Sequence, residues 1–338
     1  MFFLEPFEGK TSFPPPIWLM RQAGRYLPEY REIRKNTSSF LELVLNSDEA
    51  TEITLQPIRR FNLDAAIFFS DILMIPFALG QELHFYEGKG PVLSSLNFQK
   101  PLGGLSLKRA QESLEPVLKT LSKTRKLLPE EKALIGFAGS PWTVLAYMLE
   151  GETSRDFLKA KEFALQEPKK FGELLELVTE ATLDFLKNQI RSGATALQLF
   201  ESWAAVVPSQ FYKDWIEKPT SYLVKEIKKT FPDIPLIGFP KGLGMNILSY
   251  IKETKIDGIS LDFSYPLLEA TKLPCVIQGN LDPMILRIGG RVLEKGVEEI
   301  MTILKGKPFI FNLGHGVLKE TPVSHVLELV NLIRNFKS

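Results

Sequence analysis

From one end of the chain to the other, short apolar runs alternate with helical stretches, always in that order. This alternation is what most limits the folds open to it. The runs are Ile17–Met20, Asp64–Asp71 (DAAIFFSD), Ala133–Gly139 (ALIGFAG), Ala194–Ser202 (ATALQLFES), Pro235–Lys241 (PLIGFPK), Gly258–Phe263 (GISLDF), Cys275–Asn280 (CVIQGN) and Pro308–Gly316 (PFIFNLGHG). They are continuous in hydrophobicity, as strands buried on both faces of a parallel sheet are. Eight strand-then-helix units predict an α/β fold, a (β/α)8 TIM barrel, with a doubly wound open sheet as the alternative. A length of 338 residues suits one large domain or two small ones. No linker or low-complexity segment divides the chain, so a single domain over 1–338 is expected.

The helical stretches have the spacing of amphipathic helices, including Leu114–Leu128, Lys169–Arg191, Ile247–Glu253 and Val323–Phe336. One long helical stretch is expected after Pro28, with a second apolar run through Ile53, Ile58 and Phe61. One region breaks the rhythm. HFYEGKGPVL, with Gly88 and Gly90–Pro91, reads as a hairpin or a lid.

In such barrels the chemistry lies at the C-terminal ends of the strands. The candidate ends here carry Arg21 and Arg25, Asp71, Ser140, Ser202, Lys241, Asp262, Asn280 with Asp282, and His315. Arg21 and Arg25 flank Gly24 in a loop closed by Pro28. Two permanent cations there need either structural carboxylate partners or an anionic ligand. Asp71, amid apolar neighbours, is a helix cap, an arginine partner or a functional carboxylate. His315 lies between two glycines that allow close approach to a ligand. Tyr147 is core or site, and Ser202 is an N-cap or a contact. Lys241 invites a Schiff-base reading but has no obvious acid beside it.

Net charge is +1, so no global field gathers nucleic acid or membrane. A lone cysteine, Cys275, excludes an intrachain disulfide and disfavours a thiolate metal site. The N-terminus lacks the pattern of a signal peptide, and Leu63–Gly80 is too broken by Asp64, Asp71 and Pro76 to span a membrane. A reducing cytoplasm is the expected location. No glycine-rich phosphate loop is present.

PPIWLMRQAGRYLPEYR, FSDIL, GSPWTVLAYMLEG, LFES and NLGHG, in this order and spacing, resemble the uroporphyrinogen decarboxylase family, from about Pro14 onward. The resemblance implies a cofactor-free, metal-free (β/α)8 barrel that acts as a homodimer. It implies decarboxylation of the four acetate side chains of uroporphyrinogen III, giving coproporphyrinogen III and four CO2. By motif, Arg21, Gln22, Ala23, Gly24 and Arg25 would wrap the substrate, with both arginines pairing its carboxylates. Asp71 would accept the pyrrole N–H groups, and Tyr147, Ser202 and His315 would complete the contacts.

This chemistry needs an electron sink, which many decarboxylases take from a cofactor. A pyrrole protonated on carbon is its own sink, and a fixed carboxylate such as Asp71 stabilises the cation. The resemblance offers Arg21 as proton donor. A guanidinium hardly deprotonates, so Tyr147 or a bound water are the alternatives. Two rival readings remain. One is a corrinoid-linked zinc methyltransferase, against which the absence of a His-x-Cys pair argues. The other is a non-catalytic tetrapyrrole carrier, against which the intact FSD argues.

Overall fold

The computed structural model describes residues 1–337 apart from Glu87 and Lys89, with Pro101 described by its backbone alone. The strands are β1 (Ala65–Ile67), β2 (Leu83–Tyr86), β3 (Gly90–Leu93), β4 (Ala133–Gly139), β5 (Ala196–Glu201), β6 (Leu236–Pro240), β7 (Gly258–Ser260), β8 (Val276–Leu281) and β9 (Phe309–Leu313). Seven of them form one parallel sheet in the order β1-β4-β5-β6-β7-β8-β9. β2 and β3 form a separate antiparallel hairpin, with Leu83 opposite Leu93 and Tyr86 opposite Gly90. The hairpin expected from HFYEGKGPVL is therefore present, while Glu87 and Lys89 of that segment lie outside the described residues.

The first of the eight apolar runs, Ile17–Met20, is not a strand. Ile17 makes a single parallel bridge to Phe311 of β9. On its other side its carbonyl accepts Asp64 N–H at 2.9 Å, at the entrance to β1. Side chains take the place of a ladder. Asp64 Oδ2 accepts Ile17 N–H (2.8 Å), Gln22 Oε1 accepts Leu19 N–H (3.1 Å) and Asn312 Oδ1 accepts Met20 N–H (2.9 Å). Main-chain pairing cannot propagate once those donors are taken. Asp64, itself buried, is ion-paired to Arg334 of the final helix at 2.6 Å.

Other expected boundaries move for similar reasons. The run Asp64–Asp71 yields only the three residues of β1, because Phe69 N–H turns away to Thr54 Oγ1 at 2.8 Å. Asp71 thus lies beyond the strand rather than at its end. β7 is half of GISLDF, because the chain turns around Asp262, which accepts the N–H groups of Gly242 (2.8 Å) and Ser264 (2.9 Å). The single long helix expected after Pro28 is three helices, Pro28–Lys35, Phe40–Leu45 and Ser47–Phe61. Ser39 and Asn46 restart it as N-caps, accepting Glu42 N–H at 3.0 Å and Asp48 N–H at 3.1 Å.

Alternate side chains of the strands point inward. Ala65, Ala133, Ile135, Ala196, Ile237, Phe239, Val276 and Ile310 pack with Trp18 and Met20. Amides cross this interior, with Trp18 Nε1–H donating to Gln278 Oε1 (2.8 Å) and Gln278 Nε2–H to Gln198 Oε1 (3.2 Å). Phe3, on the 3₁₀-helical turn Phe2–Glu8, joins the same cluster, and that turn packs against β4 and β9. Helices pack outside, the longest of them Pro168–Arg191, against β4 and the helix Lys218–Thr230. Among the described residues no helix is long and apolar enough to cross a membrane.

Candidate active site

The arginine loop is held from within by Gln22, which is fully buried. Its Oε1 takes Leu19 N–H, its Nε2–H donates to Ala65 O (3.1 Å), and its carbonyl accepts Tyr26 O–H (2.7 Å). Arg31 closes the far side by donating to the carbonyls of Arg25 (2.9 Å) and Tyr26 (3.1 Å). The side chain of Gln22 is therefore committed to the loop itself, and Ala23 and Gly24 are half-buried. Arg21 adopts φ 58°, a left-handed conformation that turns its exposed side chain across Gly316. Among the described residues, neither Arg21 nor Arg25 has a carboxylate within 4 Å. Among the described residues the structural carboxylate partners, one of the two alternatives for these cations, are absent, and the loop keeps its shape through hydrogen bonds.

Asp71 accepts Leu73 N–H through Oδ1 at 2.8 Å, and its own carbonyl accepts Met74 N–H at 3.2 Å. This is an Asx turn ahead of the helix Met74–Leu79, whose N-cap is Leu73. Desolvation raises the Asp71 carboxyl above its ordinary range, opposed by the Leu73 bond and by the charge of Arg21. Among the described residues the second carboxylate oxygen has no hydrogen-bond partner.

His315 follows β9, and its Nδ1 accepts Gly316 N–H at 2.7 Å. Burial lowers its pKa to about 4, helped by the charges of Arg21 and Lys241 and opposed by Asp262. The ring is neutral at physiological pH. Arg21 acts on both Asp71 and His315, which joins these three groups electrostatically. The charge of Arg25 acts on Tyr30 rather than on Asp71 or His315.

Ser202 directly follows β5, and no cap bond from its hydroxyl is recorded; the 3₁₀ turn Ala204–Val206 has Trp203 as N-cap. Trp203 is fixed from two sides. Its N–H donates to Thr143 Oγ1 (3.3 Å) and its carbonyl accepts Trp142 Nε1–H (3.1 Å). Thr143 in turn donates to Glu201, a fully buried carboxyl that burial pushes up to about 8. Tyr147 stands edge-on to Trp203, with ring centroids 6.3 Å apart, and to Phe157 at 5.4 Å. Lys241 Nζ lies 5.9 Å from the centre of the Trp203 ring.

Sequence reasoning missed a run of rings across the strand ends. Phe68, Phe137, Phe200, Phe239 and His315 touch in succession, with centroids 5.0, 5.6, 6.0 and 6.4 Å apart. The signal was a phenylalanine shortly before the polar residue that ends a run: FFSD, GFAGS, LFES and GFPK. Together the four phenylalanine rings form an apolar floor that ends at His315, the ring on which the charge of Arg21 acts. The other two histidines take no part in it. His84 is on β2, and His325 Nδ1 lies 3.0 Å from Arg287 O. Burial pushes the Cys275 thiol up to about 12, which makes it unreactive. Among the described residues, no three His, Cys, Asp or Glu side chains gather as metal ligands.

Residues 2–336 match the family model described as uroporphyrinogen decarboxylase (URO-D). The chain is 48% identical over 333 residues to a uroporphyrinogen decarboxylase of Chelativorans sp. (strain BNC1), covering 98% of this chain and 97% of that one. It is 46% identical to that of Rickettsia bellii (strain RML369-C), covering 96% and 95%. Among solved structures, a methyltransferase from Methanosarcina mazei superposes with a TM-score of 0.79 over 99% of this chain and 98% of that chain, at 16% identity. A putative vitamin-B12 independent methionine synthase from Listeria monocytogenes superposes with a TM-score of 0.57 over 97% of this chain and 98% of that chain, at 14% identity. At such identities the structural likeness concerns the fold alone.

Proposed function

The chain belongs to the uroporphyrinogen decarboxylase family, carboxy-lyases of tetrapyrrole biosynthesis, and from that premise we propose that its strand-end cluster is the decarboxylating site. The observation that carries this is Arg21, which among the described residues has no carboxylate within 4 Å and whose charge acts on His315 at the end of the aromatic floor, with Arg25 likewise unpaired on the same loop. A flat apolar macrocycle fringed with carboxylates matches both halves of that surface. The frame is read as a closed (β/α)8 barrel, with Ile17–Met20 as the eighth stave between β9 and β1. The hydrogen bonds on both sides of Ile17 support this reading.

In the proposed mechanism Arg21 and Arg25 pair substrate carboxylates through their planar forks. The pyrrole N–H groups donate to Asp71. Protonation of a pyrrole carbon makes the ring cationic and able to take the electrons that CO2 leaves behind. The negative charge of Asp71, held in a desolvated setting, stabilises that cation. Ala23 and Gly24 contact substrate through the loop backbone, and Gln22 contributes by shaping the loop. Tyr147, Ser202 and neutral His315 complete the contacts. The proton comes from Arg21, Tyr147 or a bound water. Tyr147 differs from Arg21 in being able to give up a proton without leaving a neutral guanidine. The reaction is proposed to need no metal or organic cofactor.

The partner is proposed to be a second copy of the chain. Met245 (96% exposed), Leu248, Phe263 and Leu268 are exposed apolar residues on the segments that follow β6 and β7. Sedimentation of the wild type and of a Met245→Asp, Leu268→Asp double variant tests this; a wild-type monomer refutes it. The activity test is anaerobic incubation of purified protein with uroporphyrinogen III. Stoichiometric CO2 and coproporphyrinogen III are expected, and unchanged substrate would refute the reading.

A further inference from the structure

We infer that Lys241 is a third carboxylate-binding cation of the cleft, one that takes an acetate side chain which Arg21 and Arg25 leave unpaired. This rests on the decarboxylase reading and adds a residue to it. A substrate with four acetate groups brings more anions than two arginines can pair.

Lys241 is placed for the role. It is the first residue beyond β6, and its N–H is shared between Glu201 O (3.0 Å) and Phe239 O (3.1 Å), which anchors it to the ends of β5 and β6. Its side chain is half-buried, and among the described residues it has no carboxylate within 4 Å. The carboxylate of Asp262 does not serve it. One oxygen of Asp262 accepts Gly242 N–H, and the other accepts the N–H and the hydroxyl of Ser264. Instead Nζ rests over the Trp203 ring at 5.9 Å. A cation on an aromatic face is held more weakly than one in a charge-assisted hydrogen bond, so an arriving carboxylate can draw it off. The charge of Lys241 reaches the His315 ring, as that of Arg21 does. The two cations therefore bear on one site from different loops.

The experiment compares wild type, Lys241→Met and Lys241→Arg with uroporphyrinogen III at low and high salt, with thermal melts as controls. Methionine keeps the length and the packing on Trp203 but loses the charge. The expected result is a KM raised about tenfold in the Met variant, with kcat nearly unchanged and a shallower salt dependence. The Arg variant should restore KM. Lys241→Gln carries the test should the Met variant fail to fold. A folded Met or Gln variant with wild-type KM and salt dependence overturns the inference. So does a KM raised equally in the Met and Arg variants, which would make the stem rather than the charge responsible. A wild type that does not decarboxylate uroporphyrinogen overturns the decarboxylase reading along with it, so the two failures are told apart.

Discussion

The side chain of Arg21 crosses Gly316 so closely that a Cβ there would lie 2.6 Å from Arg21 Cγ, and closer still to its Cδ. The chain's most distant loops thus meet at a spot where only a hydrogen fits. Gly316→Ala is expected to fold, because a flexible side chain can yield. It should displace Arg21 and lower kcat/KM by about tenfold or more. Steady-state kinetics beside a thermal melt measure this; an unchanged kcat/KM would show that the position of Arg21 is not critical.

Asp71→Asn is expected to keep its fold and lose turnover. The amide oxygen can still accept Leu73 N–H, so the turn before the helix Met74–Leu79 survives. The charge is gone, and loss of a preorganised electrostatic group costs roughly 10²–10³ in rate. Affinity for the product should fall less than kcat. A variant that melts early yet turns over normally would reduce Asp71 to a turn residue.

Arg25→Lys is not expected to be conservative. The residue is exposed and has no carboxylate partner among the described residues, so little stability is at stake. Loss of a bidentate contact should weaken substrate binding by about 1–3 kcal/mol. Isothermal titration with a product analogue, or KM, checks it; unchanged values would remove Arg25 from the site.

Two buried groups give opposite pH dependences. The Glu201 carboxyl titrates at about 8 in the fold against 4.5 unfolded. Its contribution is whole below about 4.5 and is lost as pH rises toward 8, because the unfolded chain releases the proton first. His315 titrates at about 4 against 6.5. Its contribution is whole above 6.5 and is lost as pH falls toward 4. Between 4.5 and 6.5 the two slopes cancel, and above 6.5 only that of Glu201 remains. Urea unfolding should therefore show a loss of about 2 kcal/mol between pH 6.5 and 8. Glu201→Gln should abolish that loss; a variant with the same slope would assign it to another group.

Exhaustive chelation is expected to leave turnover intact. No group of metal ligands gathers among the described residues, and the proposed chemistry makes the substrate its own electron sink. Activity lost to chelation and restored by one metal would contradict this.

What the sequence concealed has a common cause. β4 was legible residue for residue, since ALIGFAG is buried throughout and pairs on both sides. Ile17–Met20 looked the same, yet its donors go to Asp64 and Asn312, far along the chain. Phe69 likewise leaves the sheet for a threonine on a preceding helix. No local pattern records such partners. The arginines, Asp71 and His315 stood out as candidates because charges after apolar runs are conspicuous. The phenylalanine floor was not, since each ring by itself looks like ordinary core. Gln22 was assigned with its neighbours by motif, but its side chain faces inward. Trp203 and Lys241 lie on different loops, so only coordinates pair them.

The loop that carries Arg21 takes its shape from residues made almost three hundred positions later. Met20 N–H needs Asn312, and Val317 N–H needs the carbonyl of Met20. On the ribosome the N-terminal segment can meet Asp64 and Ala65 early, but its bonds to Asn312 and Val317 wait for the last part of the chain. Such long-range closure comes late and leaves apolar chain uncovered meanwhile. The proposed site is thus closed only once the last strand and the loop after it are made. A chain cut short before Val317 would keep most of the sheet and leave the arginine loop without its far anchor.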